Sequence, residues 1–107
     1  MYPKPGKRKK KAQSRKIRDS ARGEDCTVCI PGICNGNPET TVLDHLPGGG
    51  MGAKRLDIHG AYACSNCHDA IDHRVMVRLS NNEIDLMHYQ AVIRTQEILW
   101  NKGLIHD

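Results

Sequence analysis

The sequence contains no phenylalanine, and its aromatic residues are limited to three tyrosines and one tryptophan. The chain has 107 residues, a length typical of one domain, but hydrophobic residues make up only 38% of it. A core with so few large side chains needs additional stabilisation from a bound metal or from disulfides. The five cysteines and six histidines are the residues that can supply it.

Long apolar segments are absent as well. No run of 18 or more apolar residues occurs, which excludes a transmembrane helix of ordinary length. The N-terminus is charged throughout and has no apolar central segment, so a secretory signal peptide is not expected. We therefore expect a cytoplasmic protein, in which cysteines bind metal more often than they form disulfides.

Acidic residues are missing from the first 18 positions. Residues 1–18 contain nine of the 16 Lys and Arg and none of the 12 Asp and Glu. Such a segment is expected to be disordered when free and to bind the phosphates of nucleic acid. We predict a disordered basic arm over residues 1–18, a folded domain over residues 19–107, and DNA as the partner rather than a membrane. The arm residues predicted to contact phosphate are Lys7, Arg8, Lys9, Lys10, Lys11, Arg15 and Lys16.

Local sequence patterns predict a small α+β domain after the arm. Residues 19–40 are rich in turn-forming residues and read as a loop held by metal. Residues 40–43 predict a short strand, and residues 58–63 predict a second strand or turn. Apolar residues spaced four apart predict a helix from about residue 66 to residue 79.

The last predicted element is an amphipathic helix of about five turns. Asn81 or Asn82 can cap its start, and Gly103 ends it. The residues predicted to form its apolar stripe are Ile84, Met87, Ala91 and Ile98, with Leu86, Ile93 and Trp100 nearby.

The cysteines fall into two groups that suit a structural zinc ion. Cys64 and Cys67 form a Cys-x-x-Cys pair, which supplies two thiolates from one tight turn. In the first group, Cys26 can be joined by Cys29, which is the commoner spacing, or by Cys34. A closed shell of four thiolates leaves one of the five cysteines over, and spacing alone favours Cys34 as the extra one.

A second set of residues suits hydrolysis of a phosphodiester. Asp44 and His45 lie at the end of the first predicted strand, and His68 and Asp72 are spaced to share one face of a helix. Asp44, His68 and Asp72 can hold a divalent ion as Lewis acid, while His45 can act as the general base. The cations predicted to contact the scissile phosphate are Lys54, Arg55 and Arg74, or Arg78.

The order of these motifs resembles a known nuclease superfamily. A strand ending in Asp44-His45, a glycine-rich loop, and Cys64-x-x-Cys67-His68 opening a helix resemble the HNH, or ββα-metal, nucleases. The segments 30–43 and 63–72, taken with Cys26 and His45, look like the prophage-encoded nucleases of the YbcO type. The similarity covers about residues 20–79 and does not include the arm.

The resemblance implies a zinc-stapled ββα-metal domain with a C-terminal amphipathic helix. It implies that His45 is the general base and that His68 and Asp72 bind catalytic Mg²⁺ or Mn²⁺, with Asp44 as a possible third ligand. It assigns structural zinc to Cys26, Cys34, Cys64 and Cys67. The middle asparagine of the HNH signature has no clear counterpart, and Asp57 is its nearest substitute, ahead of His59.

Two functions follow as hypotheses. The first is a metal-dependent DNA endonuclease, phage- or prophage-encoded and linked to DNA recombination or processing. The second is a non-catalytic zinc module that binds DNA through the arm, with Asp44, His45 and His68 as ordinary surface residues. Cleavage in the presence of divalent ions distinguishes them.

Overall fold

A computed structural model describes residues 14–47 and 56–105. The described chain forms a two-stranded antiparallel sheet and three α-helices, which confirms the predicted small α+β architecture. Short 3₁₀ turns at Pro38–Thr40 and Asp57–His59 precede the two strands. The elements are α1 (Arg15–Asp19), β1 (Val42–His45), β2 (Gly60–Ala63), α2 (Ser65–Ile71) and α3 (Asn81–Asn101).

The two strands form a hairpin in which His45 lies opposite Gly60 and Asp44 lies opposite Ala61. Small side chains in β2 allow the hairpin to pack closely, and every residue of this strand is buried. A Cβ atom on Gly60 would lie 2.6 Å from Cγ of Leu43, so this position has no room for a side chain. The hairpin therefore holds the end of β1, with its Asp-His pair, at a fixed position beside β2.

The N-cap of helix α3 lies one residue before Asn81 and two before Asn82, the two predicted caps. Ser80 is the N-cap, and its side chain and that of Glu83 form a reciprocal capping box. The four residues of the predicted apolar stripe do face the core, because Ile84 and Ala91 are buried while Met87 and Ile98 pack against the hydrophobic clusters. The three residues placed near the stripe are more than half exposed: Leu86, Ile93 and Trp100. The fully buried face instead includes two polar side chains, His88 and Thr95; its other members are Ile84, Ala91, Val92 and Leu99.

Helix α2 is much shorter than the predicted helix over residues 66–79. It ends at Ile71, where the amides of His73 and Arg74 bond back to the carbonyls of Ala70 and Asp69. His73 adopts a positive φ of 61°, which completes a Schellman motif and stops the helix. Val75 and Leu79, which continue the four-residue spacing of apolar residues, lie in an irregular segment after the helix.

The folded part of the chain begins before the predicted boundary at residue 19. Residues 14–18 were expected to belong to a disordered arm, but Ser14 caps α1 and Ile17 on that helix is fully buried. Ile17 packs with Tyr62 and Leu99 in a hydrophobic cluster that joins α1 to β2 and α3. The burial of Ile17 explains why this basic segment is ordered, and residues 1–13 lie outside the described residues.

A second cluster lies between the cysteine loop, the hairpin and α3, and it includes Val28, Ile30 and Val92. The two clusters meet at buried Thr95, whose hydroxyl accepts a hydrogen bond from the backbone amide of Tyr62. Among the described helices, none has the length and apolar character needed to cross a membrane.

Candidate metal centres and active site

Four cysteine sulfur atoms converge at one end of α2. Their Sγ atoms all lie within 4.8 Å of one another, which is the spacing of a tetrahedral metal site; the four are Cys26, Cys34, Cys64 and Cys67. Cys64 is the N-cap of α2 and Cys67 lies in its first turn, so the helix start fixes two of the four. The group can therefore hold a metal ion such as zinc.

Backbone amides point at these sulfur atoms. The amide of Ile30 donates to Sγ of Cys67 at 3.4 Å, and the amide of Asn35 donates to Sγ of Cys64 at 3.5 Å. Amides of Cys29 and Cys67 donate to Cys26 and Cys64 respectively, each at 3.4 Å. Such donors stabilise negative charge on sulfur, so the surroundings fit thiolate ligands of zinc.

Cys29 lies outside the four-sulfur group. It is exposed, and its thiol donates a 2.8 Å hydrogen bond to the carbonyl oxygen of Cys26. The turn through Pro31 and Gly32 instead returns the chain so that Sγ of Cys34 lies 3.9 Å from Sγ of Cys64. The structure supports the cysteine set that the family resemblance implies.

The protonation behaviour of the cluster reflects crowded sulfur atoms. A hydrogen bond from Cys67 lowers the pKa of Cys26 to about 4, and the same bond raises the pKa of Cys67. Burial raises the pKa of Cys34 to about 11. Four thiolates this close repel one another strongly, so full ionisation of the group requires a cation at its centre.

A second potential metal centre joins β1 to the other end of α2. Nε2 of His68 lies 3.8 Å from Oδ1 of Asp44 and 3.5 Å from Oδ2 of Asp72. Ligand atoms of all three residues fall within 4.8 Å of one another. His68 is on α2 and Asp72 is its C-cap, so the predicted spacing of four residues does bring both side chains to one site.

Asp44 shows the strongest sign that this group is built for a cation. Its side chain is buried, and Oδ2 has no hydrogen-bond partner within the described residues. Burial raises the pKa of Asp44 to about 7, with a further contribution from the negative charge of Asp72. A buried carboxylate oxygen without a donor is costly, and a divalent ion with oxygen and imidazole ligands would offset that cost.

His45 faces a different partner from its neighbour Asp44. Nε2 of His45 lies 2.8 Å from Oδ1 of Asp57, and the carboxylate is almost completely buried. A carboxylate only accepts hydrogen bonds, so Nε2 carries the proton and Nδ1 remains as the basic nitrogen. Asp57 therefore orients His45. Asp57 is also the residue expected to substitute for the middle asparagine of the HNH signature. His59, the weaker candidate, does not contact His45 or Asp57 in any described hydrogen bond.

Asp57 is in turn held by α1. Its Oδ2 accepts hydrogen bonds from the backbone amide of Ser14 and from Nη1 of Arg18, both at 2.7 Å. The basic composition of residues 1–18 predicts that Arg18 belongs to a disordered arm, with no role at the site. Only Ile17, an apolar residue among basic ones, signalled that this segment packs on the domain.

His88 also contacts the site, although no sequence motif assigns it there. It is buried on α3, and its Nε2–H donates a 2.8 Å hydrogen bond to the carbonyl oxygen of Asp44. Burial lowers the pKa of His88, which keeps the imidazole neutral. The sequence feature that indicates burial of His88 is its position four residues after Ile84, on the same face of α3.

Four of the basic residues predicted to bind nucleic acid lie in the described part of the chain, and all four are exposed. Arg74 lies 3.7 Å from Asp72 and 3.4 Å from Asp69, so it is adjacent to the Asp44 group as predicted for a phosphate contact. Arg15 and Lys16 are exposed on α1, and Arg78 is exposed beyond α2. The remaining residues predicted to bind nucleic acid lie outside the described residues: Lys7, Arg8, Lys9, Lys10, Lys11, Lys54 and Arg55.

Comparison with known proteins identifies close relatives. A family model described as "Putative nuclease YbcO" matches residues 15–104. Proteins named "Putative nuclease YbcO" from Escherichia coli (strain K12) and "Putative nuclease ybcO" from Enterobacteria phage 82 are each 52% identical over 92 residues, which is 83% of this chain and 95% of the relative.

A solved structure extends this similarity to the fold. "Structure of a putative bacteriophage protein from Escherichia coli str. K-12 substr. MG1655" is 40% identical and superposes with a TM-score of 0.69. The match covers 82% of this chain and 100% of that one. By its sequence and its fold, this chain belongs to the family described as "Putative nuclease YbcO".

Proposed function

We propose that the protein is a metal-dependent DNA endonuclease of the HNH, or ββα-metal, type. One observation carries the proposal: two adjacent residues at the end of β1 serve two different centres. Asp44 joins His68 and Asp72, whereas His45 is held by Asp57. Because neighbouring side chains of a strand point to opposite sides, one short strand presents a metal ligand and a base together. The relatives are named "Putative nuclease YbcO" and "Putative nuclease ybcO", and these names support the same proposal.

The proposed chemistry assigns a task to each side chain. Bound at Asp44, His68 and Asp72, Mg²⁺ or Mn²⁺ would stabilise the charge that develops on the scissile phosphate and the leaving oxygen. His45 accepts the proton of the attacking water at Nδ1, while Asp57 holds Nε2–H and so fixes the orientation of the imidazole. Arg74 is close enough to the Asp44 group to contact a phosphate oxygen.

Zinc at the four cysteines is proposed to have a structural task. Four thiolates close the coordination shell and leave no position for water or substrate. Cys64 and Cys67 lie at the start of the same helix that carries His68, so the zinc centre fixes the position of the catalytic centre.

The basic arm is proposed to hold DNA next to this site. Ser14 bonds directly to Asp57, and Lys11 precedes Ser14 by three residues. Three residues span at most about 11 Å, so Lys11, the last lysine before α1, is tethered within that distance of the contact between Ser14 and Asp57. DNA bound by the arm therefore passes near the site, as expected for an enzyme of phage DNA recombination or processing.

The test of the proposal is nicking of supercoiled plasmid by the purified chain. We expect nicking in Mg²⁺ or Mn²⁺ and none with excess EDTA, since the base alone cannot stabilise the transition-state charge. Asp44→Asn should abolish it, whereas Asp69→Asn, which removes a neighbouring carboxylate outside the three-residue group, should retain it. DNA binding without cleavage in any divalent ion would refute the proposal in favour of a non-catalytic zinc module.

The affinity for Mn²⁺ should depend on pH through Asp44. Protonated Asp44 cannot bind the ion, and its pKa is raised from 3.8 to about 7. The Mn²⁺ affinity is therefore expected to reach its maximum well above pH 7, where Asp44 is ionised. Below pH 7 it should fall by about tenfold for each pH unit. Titration of Mn²⁺ by electron paramagnetic resonance between pH 5.5 and 8 measures this change. Affinity that stays constant down to pH 5.5 would contradict it.

The arm makes a separate prediction about DNA affinity. Replacing its five clustered basic residues with glutamine removes up to five phosphate contacts; they are Lys7, Arg8, Lys9, Lys10 and Lys11. The slope of log affinity against log salt should then decrease in magnitude by up to about 4.5, because each of the five contacts contributes about 0.9. Fluorescence anisotropy with labelled duplex at several salt concentrations measures the slope. An unchanged slope would show that the arm does not contact DNA.

A further inference from the structure

The carboxylate that orients His45 is itself fixed from outside the hairpin. Both oxygens of Asp57 are engaged: Oδ1 bonds to His45, and Oδ2 accepts from Arg18 and from the amide of Ser14. The residue is only 3% exposed, so water cannot easily replace a lost donor. The side chain of Asp57 can keep its orientation only while the donors on Oδ2 remain in place.

Both donors belong to α1, which is anchored independently of them. Ser14 caps the helix and Arg18 lies one turn later, so the two face the same direction. Two other contacts anchor α1. Ile17 packs against Tyr62, and Oγ of Ser20 forms a 2.7 Å hydrogen bond with the Tyr62 hydroxyl. The helix thus rests on β2 through Ile17 and Ser20 and presents Ser14 and Arg18 to Asp57.

We propose that α1 positions the catalytic base, with Arg18 as the positioning residue that acts on His45 through Asp57. This inference rests on the proposed function, because it assigns His45 as the base. Arg18 makes a charge-assisted bond to a buried carboxylate, which is stronger and more directional than a bond between neutral groups. Without it, Asp57 keeps one donor on Oδ2 and can rotate, and His45 loses its fixed orientation relative to the attacking water.

The experiment compares Arg18→Met with Arg22→Met, an exposed position just after α1 that removes the same charge. Arg18→Met is expected to lower kcat for plasmid nicking by at least about tenfold at unchanged KM, with zinc content equal to that of the unmodified chain. Arg22→Met should leave kcat unchanged. Arg18→Lys, which restores a cationic donor, should recover part of the loss.

Three outcomes would overturn the inference. An increase in KM with constant kcat would make Arg18 a DNA contact and not a positioning residue. Equal losses in Arg18→Met and Arg22→Met would reflect net charge alone. A loss that Arg18→Lys does not recover at all, accompanied by a lower melting temperature in both Arg18 variants, would reflect folding.

A second readout separates this inference from the proposed function. The Nε2–H proton of His45, hydrogen-bonded to Asp57, should give a downfield NMR signal in the unmodified chain and in Arg22→Met. In Arg18→Met the signal should broaden or shift upfield. If the chain does not nick DNA but this pattern holds, the proposed function fails and the positioning contact stands. If the chain nicks DNA and the signal is unaffected by Arg18→Met, only the positioning inference fails.

Discussion

Replacing His45 with alanine is expected to lower the rate of plasmid nicking by about 10²- to 10⁴-fold in Mg²⁺ or Mn²⁺. The imidazole is the general base of the proposed mechanism, and its contact with Asp57 fixes its orientation. The proposed metal ligands Asp44, His68 and Asp72 remain in the variant, so Mn²⁺ affinity and zinc content should be unchanged. Nicking rates and Mn²⁺ titrations of the same preparations measure the two effects separately.

The matched control for this variant is His73→Asn. His73 is an exposed histidine that follows the same helix as His68 but contacts neither candidate centre in any described ion pair or hydrogen bond. Asparagine tolerates the positive φ of 61° at this turn, so the backbone should be preserved. Nicking by His45→Ala at the rate of the unmodified chain would contradict the assignment of the base. A comparable loss in His73→Asn would show that the effect is not specific to His45.

The two candidate centres could be predicted from the sequence because helix geometry brings most of their residues together. Cys64 and Cys67 share a helix start, and His68 and Asp72 are one helical turn apart, so their spacing alone brings each pair together. The choice between Cys29 and Cys34 depends instead on how the loop from Cys26 returns to α2. Spacing alone favours Cys29, whereas the loop brings Cys34 to the other three sulfur atoms through contacts with distant residues such as Cys67.

The residues that support the site were harder to predict, because a pattern of apolar residues assigns no role to the polar side chains that share its helix face. His88 and Thr95 occupy buried positions on α3 where apolar residues are the usual expectation, and each is satisfied by a partner more than 30 residues away. Arg18 lies in a run of basic residues that resembles a disordered arm. Its role depends on burial of Ile17 beside it, which becomes apparent only when Tyr62 and Leu99 are brought to the same cluster.

Helix α2 connects the two centres and explains why a small chain with a sparse core can hold a precise site. Its first turn supplies sulfur ligands at one end, and its last turn supplies His68 to the other centre, within only seven residues. Rigid elements position functional groups better than loops do. The stability of the zinc centre is therefore expected to control the geometry at Asp44 and His68.

The largest expected effect on folding follows from loss of one zinc ligand. Cys34→Ser is predicted to abolish stable zinc binding and to destabilise the domain by more than about 4 kcal/mol, because binding of structural zinc contributes directly to folding. The hydrophobic clusters alone are small, and several of their members are alanine or cysteine. Elemental analysis of zinc and thermal unfolding followed by circular dichroism measure the effect.

Cys29→Ser is the matched control, because it makes the same chemical change five residues away. Cys29 is exposed and its sulfur is not one of the four that converge, so zinc content and melting temperature should equal those of the unmodified chain. Nicking should follow zinc occupancy, being lost in Cys34→Ser and retained in Cys29→Ser, because α2 carries ligands of both centres. The reverse pattern, with zinc lost from Cys29→Ser and kept by Cys34→Ser, would assign the fourth ligand to Cys29. Full zinc content and unchanged stability in both variants would show that the folded domain does not depend on a four-cysteine centre.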